Sequence, residues 1–86
     1  MKYRIEIETR AKREFLGLPD QVQEVVTEAI DDLATHPRPP GAKRLAVKSG
    51  YRLRKGDYRI LYTVDDKAGL VRIYRIGHRR DIYRKR

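Results

Sequence analysis

The chain predicts an α+β fold: a small antiparallel sheet in the order β-α-α-β-β-β, with an N-terminal helical hairpin on one face. Two patterns carry this expectation. One alternating segment opens the sequence and three more follow residue 50, and between them the apolar residues switch to helical spacing. The 86 residues fit a single domain, 1–86, and a chain this short buries only about 60% of the surface its unfolded form exposes.

Residues 2–8 alternate, with Tyr3, Ile5 and Ile7 against Lys2, Arg4, Glu6 and Glu8, as a half-buried strand does. Thr9 then offers a cap to a short helix carrying Ala11, Phe15 and Leu16. Gly17 and Pro19 interrupt the chain, and Pro19 suits the first turn of a second helix, where its missing N–H costs nothing. In that helix Val22, Val25, Val26, Ala29, Ile30 and Leu33 fall at i, i+3, i+4, i+7, i+8 and i+11, one apolar stripe expected in the core. Glu24, Glu28, Asp31 and Asp32 occupy the other faces, and the three prolines of "HPRPPG" forbid continuation. "GAKRLAVKSG" reads as a basic connector, followed by strands at about 51–54, 58–65 and 70–76. The turns between them are "KGD" and "DDKAG", with Asp65 and Asp66 as turn residues.

Charge is distributed unevenly. Residues 1–42 hold 6 Lys/Arg against 8 Asp/Glu, a net of −2, whereas residues 43–86 hold 15 against 4, a net of +11. A basic tail would lack apolar residues, but here "YRILYTV" and "LVRIYRI" interleave arginine with strand formers, so the cations are displayed on a folded scaffold that fits a polyanionic partner. No apolar run approaches the roughly 18 residues of a membrane span, and "MKYRIEIETR" has no signal-peptide core. The chain has no cysteine. A cytoplasmic protein without membrane contact is the expectation.

"YRLRKGDYRILY" places three arginines and a lysine on a hairpin. With a two-residue loop at Lys55 and Gly56, Leu53 faces Tyr58 and Tyr51 faces Ile60, all on the core side with Tyr62 and Val64. Arg52 and Arg59 then pair on the opposite side, beside Arg54. Like charges opposed on a sheet are destabilising by a few tenths of a kcal/mol or more, so such a cluster points to function.

The residue types narrow the chemistry. Thiol nucleophiles are excluded, and the histidines are His36, beside Pro37, and His78. Two-metal hydrolysis needs clustered carboxylates, whereas the basic half offers Asp57, Asp65, Asp66 and Asp81. No metal or cofactor is expected. Guanidinium groups on strands, followed by His78, Arg79, Arg80 and Tyr83 in "IGHRRDIYRKR", suit phosphate recognition and charge stabilisation in phosphoryl transfer. Lys43, Arg44 and Lys48 add cations in the connector for RNA binding, with Arg80 at the far end.

At "YRLRKGDYRILY" and "IGHRRDIYRKR" the sequence resembles the RelE/ParE superfamily of bacterial and archaeal toxins, most closely its RelE branch. The resemblance extends to "AKREFLGLP", to "KRL" before the hairpin and to the terminal "HRRDIY". It implies the toxin of a type II toxin-antitoxin system, a metal-independent endonuclease that cuts messenger RNA in the ribosomal A site through attack of the ribose 2′-hydroxyl on the adjacent phosphate. By the same resemblance, Arg54 and Arg59 hold and neutralise the scissile phosphate, Arg52 stands beside them, and Arg79 stabilises the leaving group or gives it a proton. Tyr83 orients the 2′-hydroxyl or helps deprotonate it. The best-studied RelE pattern has lysines at the positions of Arg52 and Arg54. Arginine stays protonated to above about pH 12, so His78 or Tyr83 is left as the candidate base, or catalysis rests mainly on positioning.

The resemblance also implies a RelB-like antitoxin as partner, in a heterodimer or heterotetramer, besides the ribosome and mRNA. Two other functions fit the same scaffold: a ParE-like inhibitor of DNA gyrase without nuclease activity, and a plain RNA-binding module. ParE members typically lack the arginine and tyrosine set, so its presence here favours the nuclease.

Overall fold

The computed structural model describes residues 2–46 and 50–82. Its elements are β1 (Arg4–Ile7), α1 (Thr9–Leu16), α2 (Asp20–Leu33), β2 (Ala42–Arg44), β3 (Gly50–Lys55), β4 (Tyr58–Asp65), β5 (Leu70–His78) and α3 (Arg79–Ile82). The strands form one sheet in the order β1-β5-β4-β3-β2. β2 to β5 are antiparallel, and β1 joins parallel to β5, Ile5 opposite Val71 and Ile7 opposite Ile73. The expected α+β arrangement holds, with the helical hairpin on one face.

Side-chain alternation divides the sheet into two faces. Leu53, Ile60, Tyr62, Val64, Val71, Ile73 and Ile76 point to the helices and form one buried core with Ala11, Val26, Ala29, Ile30 and Leu33. Each buried Val, Leu or Ile side chain contributes about 1.5–3 kcal/mol relative to exposure, and Val26, Ala29, Ile30 and Leu33 of the α2 stripe supply most of the helical share. Val25 lies at the margin of that stripe and is 50% exposed, and Leu16 near the end of α1 is 70% exposed, so neither is core.

Several local expectations are corrected. Glu8, not Thr9, occupies the N-cap of α1, and its side chain makes no capping hydrogen bond. Pro19 is the N-cap of α2, its carbonyl accepting from Gln23 N at 2.9 Å. Residues 42–44 of the basic connector are a strand, the sheet edge β2, short and charged and so a poor template for another chain. The β3–β4 loop is Gly56–Asp57 instead of Lys55–Gly56. Leu53 therefore opposes Ile60, Tyr51 opposes Tyr62, and the directly opposed arginines are Arg54 and Arg59, with Arg52 opposite Leu61. The reason is Gly56, whose φ of 58° supplies the left-handed conformation that a two-residue hairpin turn needs at its first central position. A slip of two residues leaves every side chain on its expected face.

β5 carries a bulge. Leu61 pairs with Arg75 and Tyr62 with Ile73, so Tyr74 is the extra residue. Beyond it β1 has ended, and Ile76 N donates instead to the Glu14 carboxylate of α1 at 2.9 Å, while Arg75 Nε donates to the same carboxylate at 2.9 Å. Glu14 thus completes the strand edge where no strand remains. Among the described residues no helix is long and apolar enough to cross a membrane.

Candidate nucleic-acid interface

The face turned away from α1 and α2 carries the cations. Lys43 on β2 opposes Arg52 on β3, and one row further along Arg54 opposes Arg59 on β4, which in turn opposes Gly77 on β5. The sequence dictates this by alternation: residues 52, 54 and 59 are out of phase with the apolar set at 53, 60 and 62. Elsewhere on the face the charge is compensated. Arg72 lies 3.2 Å from Glu6 and 4.0 Å from Glu8, and Arg4 lies 3.7 Å from Glu6. Among the described residues Arg54 has no hydrogen-bond or ion-pair partner, and it is exposed.

Arg59 differs from its neighbour. It is 7% exposed, and its Nη1 donates to Gly56 O at 3.1 Å and Tyr58 O at 3.2 Å, which lays the guanidinium back along the hairpin turn. The cause is α3, which crosses this end of the open face. Ile82 is buried, and its Cδ1 lies over Gly77, 3.6 Å from where a Cβ would stand.

α3 also brings in the last basic residues. Arg79 N donates to Asp57 O at 2.7 Å, and Arg79 Nε approaches Asp57 Oδ1 at 3.8 Å, so the loop of the hairpin and the start of α3 are joined. Arg79 and Arg80 are both exposed. The end of the helix is tied by Arg75 Nη1, which donates to Ile82 O at 3.5 Å. Sequence reading assigned no role to Asp57, Glu14 or Arg75. The "GD" turn hinted at Asp57, whereas Glu14 reads as the i+4 partner of Arg10, which it also approaches at 3.6 Å.

The remaining expected site residues are scattered. His78 opposes Tyr58, their rings in edge contact at 5.4 Å, on the helix side of the sheet and away from the Arg54–Arg59 pair. Arg44 opposes Tyr51 and so also points to the helix side, where it lines a hollow with Arg38, Asp66 and Lys67. Tyr83 and Lys48 lie outside the described residues. The structure therefore brings together Lys43, Arg52, Arg54 and Arg59, with Arg79 and Arg80 beside the hairpin, and leaves His78 and Arg44 apart. Among the described residues, no group of three or more His, Asp or Glu side chains is arranged to hold a metal ion.

A second arginine cluster has a different character. Arg38 grips Asp66 through Nη1–Oδ1 at 3.2 Å and Nη2–Oδ2 at 2.8 Å, and its Nε donates to Tyr51 Oη at 2.8 Å. Tyr3 Oη donates to Asp66 Oδ1 at 2.7 Å. The Arg38 guanidinium, and after it the Tyr3 hydroxyl, hold the Asp66 carboxyl below the usual carboxylate range, and Tyr3 is raised in turn by its bond to Asp66. Tyr51 stacks on Tyr62, whose hydroxyl donates to Pro37 O at 2.8 Å. Burial, and then the neighbouring Tyr51, push the Tyr62 hydroxyl up to about 12.

Comparison with known proteins agrees with this architecture. The sequence model of the ParE toxin of type II toxin-antitoxin systems, parDE, matches residues 5–83. Toxin RelG of Mycobacterium tuberculosis is 37% identical over 87 residues, which cover 99% of this chain and 100% of that protein. Among solved structures, the toxin-antitoxin complex RelBE2 from M. tuberculosis superimposes with a TM-score of 0.80 at 31% identity, covering 91% of this chain and 99% of that one. The archaeal RelE–RelB complex from Pyrococcus horikoshii gives a TM-score of 0.83 at 28% identity, covering 92% and 97%. With a family match across nearly its whole length and a fold shared with RelE structures, the chain belongs to the RelE/ParE superfamily of type II toxin-antitoxin toxins.

Proposed function

We propose that this toxin is a ribosome-dependent messenger RNA endonuclease whose working surface is the open face of the sheet between β2 and the start of α3. The observation that carries the reading is the direct opposition of Arg54, exposed and without a hydrogen-bond or ion-pair partner among the described residues, and Arg59, with Lys43 and Arg52 on the same face. Opposed cations without a counter-charge are a cost to the fold that a bound phosphate removes.

In the proposed reaction the ribose 2′-oxygen attacks the adjacent phosphorus and the bond from phosphorus to the 5′-oxygen breaks. The products are a 2′,3′-cyclic phosphate and a 5′-hydroxyl. Arg54, Arg59 and Arg52 bind the non-bridging oxygens and gain strength as the phosphorane becomes dianionic. Arg79, held at the hairpin by Asp57, faces the leaving 5′-oxygen and supplies its proton. Tyr83, as its phenolate, takes the 2′-hydroxyl proton. No arginine serves as a base, so in-line alignment supplies much of the acceleration. The names of the structural relatives, RelE–RelB and RelBE2 complexes, support an antitoxin as the partner that silences this surface.

Primer extension on a defined message in a translating system tests the reading, with ribosomes omitted from a parallel sample. Cuts within the A-site codon that appear only with ribosomes are expected. A message left intact in both samples, with translation unaffected, overturns it. One observation favours a second reading, a non-nucleolytic gyrase inhibitor: the matching family model is that of ParE toxins. Inhibition of DNA supercoiling by the purified protein would establish that alternative.

A further inference from the structure

We propose that His78 is a positioning residue, which sets the start of α3 and with it Arg79 and Arg80 beside the open face. Its kinetic consequence rests on the nuclease reading; its structural claim does not.

α3 has four residues, Arg79–Ile82, far too few to hold a helical turn without outside contacts. Its first two amide groups are both taken. Arg79 N donates to Asp57 O at 2.7 Å, and Arg80 N donates to His78 Nδ1 at 3.1 Å. The second bond runs from a side-chain acceptor at i to an amide at i+2, the geometry with which Asn and Asp begin turns. An imidazole can do this only with Nδ1 unprotonated and its hydrogen on Nε2.

The ring is also fixed laterally. It meets Tyr58 edge-on, at 83° between planes, directly across the β4–β5 ladder. Around it stand Arg13 and Glu14 from α1, Arg75 from β5, Tyr58 from β4 and Asp81 from α3. Tyr58 and His78 face the helix side of the sheet with Ile60 and Ile76, whereas Arg54 and Arg59 point to the other side. A general base must reach the proton it removes. His78 instead has Nδ1 engaged by the backbone of α3, and its alternation places it behind the phosphate-facing cations. Its effect on the reaction passes through Arg79 and Arg80.

Two variants separate positioning from proton transfer. Asn at this position can accept the same i+2 amide but cannot act as a base. His78→Ala is expected to speed amide hydrogen exchange at Arg80 and to lower the single-turnover cleavage rate on ribosomes, each by about tenfold, the scale of one lost hydrogen bond. His78→Asn is expected to bring both back to within about threefold of the parent, with the pH profile of cleavage unchanged in shape. Unaltered exchange at Arg80 in His78→Ala overturns the proposal, as does a His78→Asn protein with exchange restored and cleavage still lost. If the parent protein does not cleave at all, the nuclease reading fails, and the exchange comparison alone decides whether His78 positions α3.

Discussion

Two arginine clusters stand at opposite ends of the β3–β4 hairpin, and they treat the same functional group in contrary ways. Arg38 itself is matched: a bidentate carboxylate, a tyrosine hydroxyl and an aromatic ring 5.4 Å from the guanidinium carbon join the 34–41 loop, β3 and the β4–β5 turn. At the Gly56–Asp57 end Arg54 faces Arg59, and among the described residues neither makes an ion pair with a carboxylate. The first cluster is a fastener. The second is an opposed pair of like charges, and the difference shows that one hairpin can carry arginines in two contrary electrostatic settings.

The contrast can be broken most decisively at Arg54, which is exposed where Arg59 is nearly buried. Arg54→Glu is expected to lower A-site cleavage by at least about 100-fold, the scale of losing a transition-state donor, while Tm stays within about 2 °C of the parent. A cleaving Arg54→Glu protein of normal stability would remove the open face from the mechanism. At the other end the effect should fall on stability. Tyr62→Phe leaves the Pro37 carbonyl without its donor and is expected to cost about 1 kcal/mol, which lowers Tm by about 4–8 °C in a domain of this size, with the specific cleavage rate unaltered.

Acid sharpens the same comparison. The folded-state pKa of Asp66 is depressed, so its contribution is fully present above the unfolded carboxylate value of about 3.9 and is lost as pH falls through the lower folded value. Thermal melts should decline below about pH 4, and Asp66→Asn should flatten that decline while lowering Tm at neutral pH. Tyr62 acts at the alkaline limit. Its raised pKa gives a contribution present below about 10 and lost as pH approaches about 12. The smallest effect carries the opposite sign: Arg54→Thr relieves the like-charge pair and is expected to raise stability by a few tenths of a kcal/mol as it destroys activity. A destabilised Arg54→Thr protein would show that Arg54 also holds the fold.

Much of the fold was legible because periodicity reports burial. The α2 stripe and the alternation of residues 58–64 needed no tertiary information to be assigned. The edge strand β2 was not, because three residues are too few to show a period. Nor was the hairpin loop, since registers two residues apart bury the same side chains and only the backbone of Gly56 separates them. In the site, alternation did place Arg52, Arg54 and Arg59 together. The low exposure of Arg59 depends on α3 folding over Gly77, and the separation of His78 from the cluster depends on a bulge that the sequence does not mark. Asp65 and Asp66 both read as turn residues. Asp65 is one, accepting from Ala68 N at 3.0 Å, whereas Asp66 reaches out of the turn to Arg38 and Tyr3.

The parallel pairing of β1 with β5 has a consequence for the order of assembly. β1 touches no other strand, so its four residues remain without a ladder partner until the chain has been extended to Ile73. Contacts of such long sequence separation carry a large loop-closure entropy and slow the search for the native topology. In folding, the local contacts of the hairpin that carries Arg54 and Arg59 can form early, whereas the pairing of Arg4 with Leu70 closes late. The hairpin therefore precedes the edge strand that completes its sheet, although β1 is the first strand of the chain.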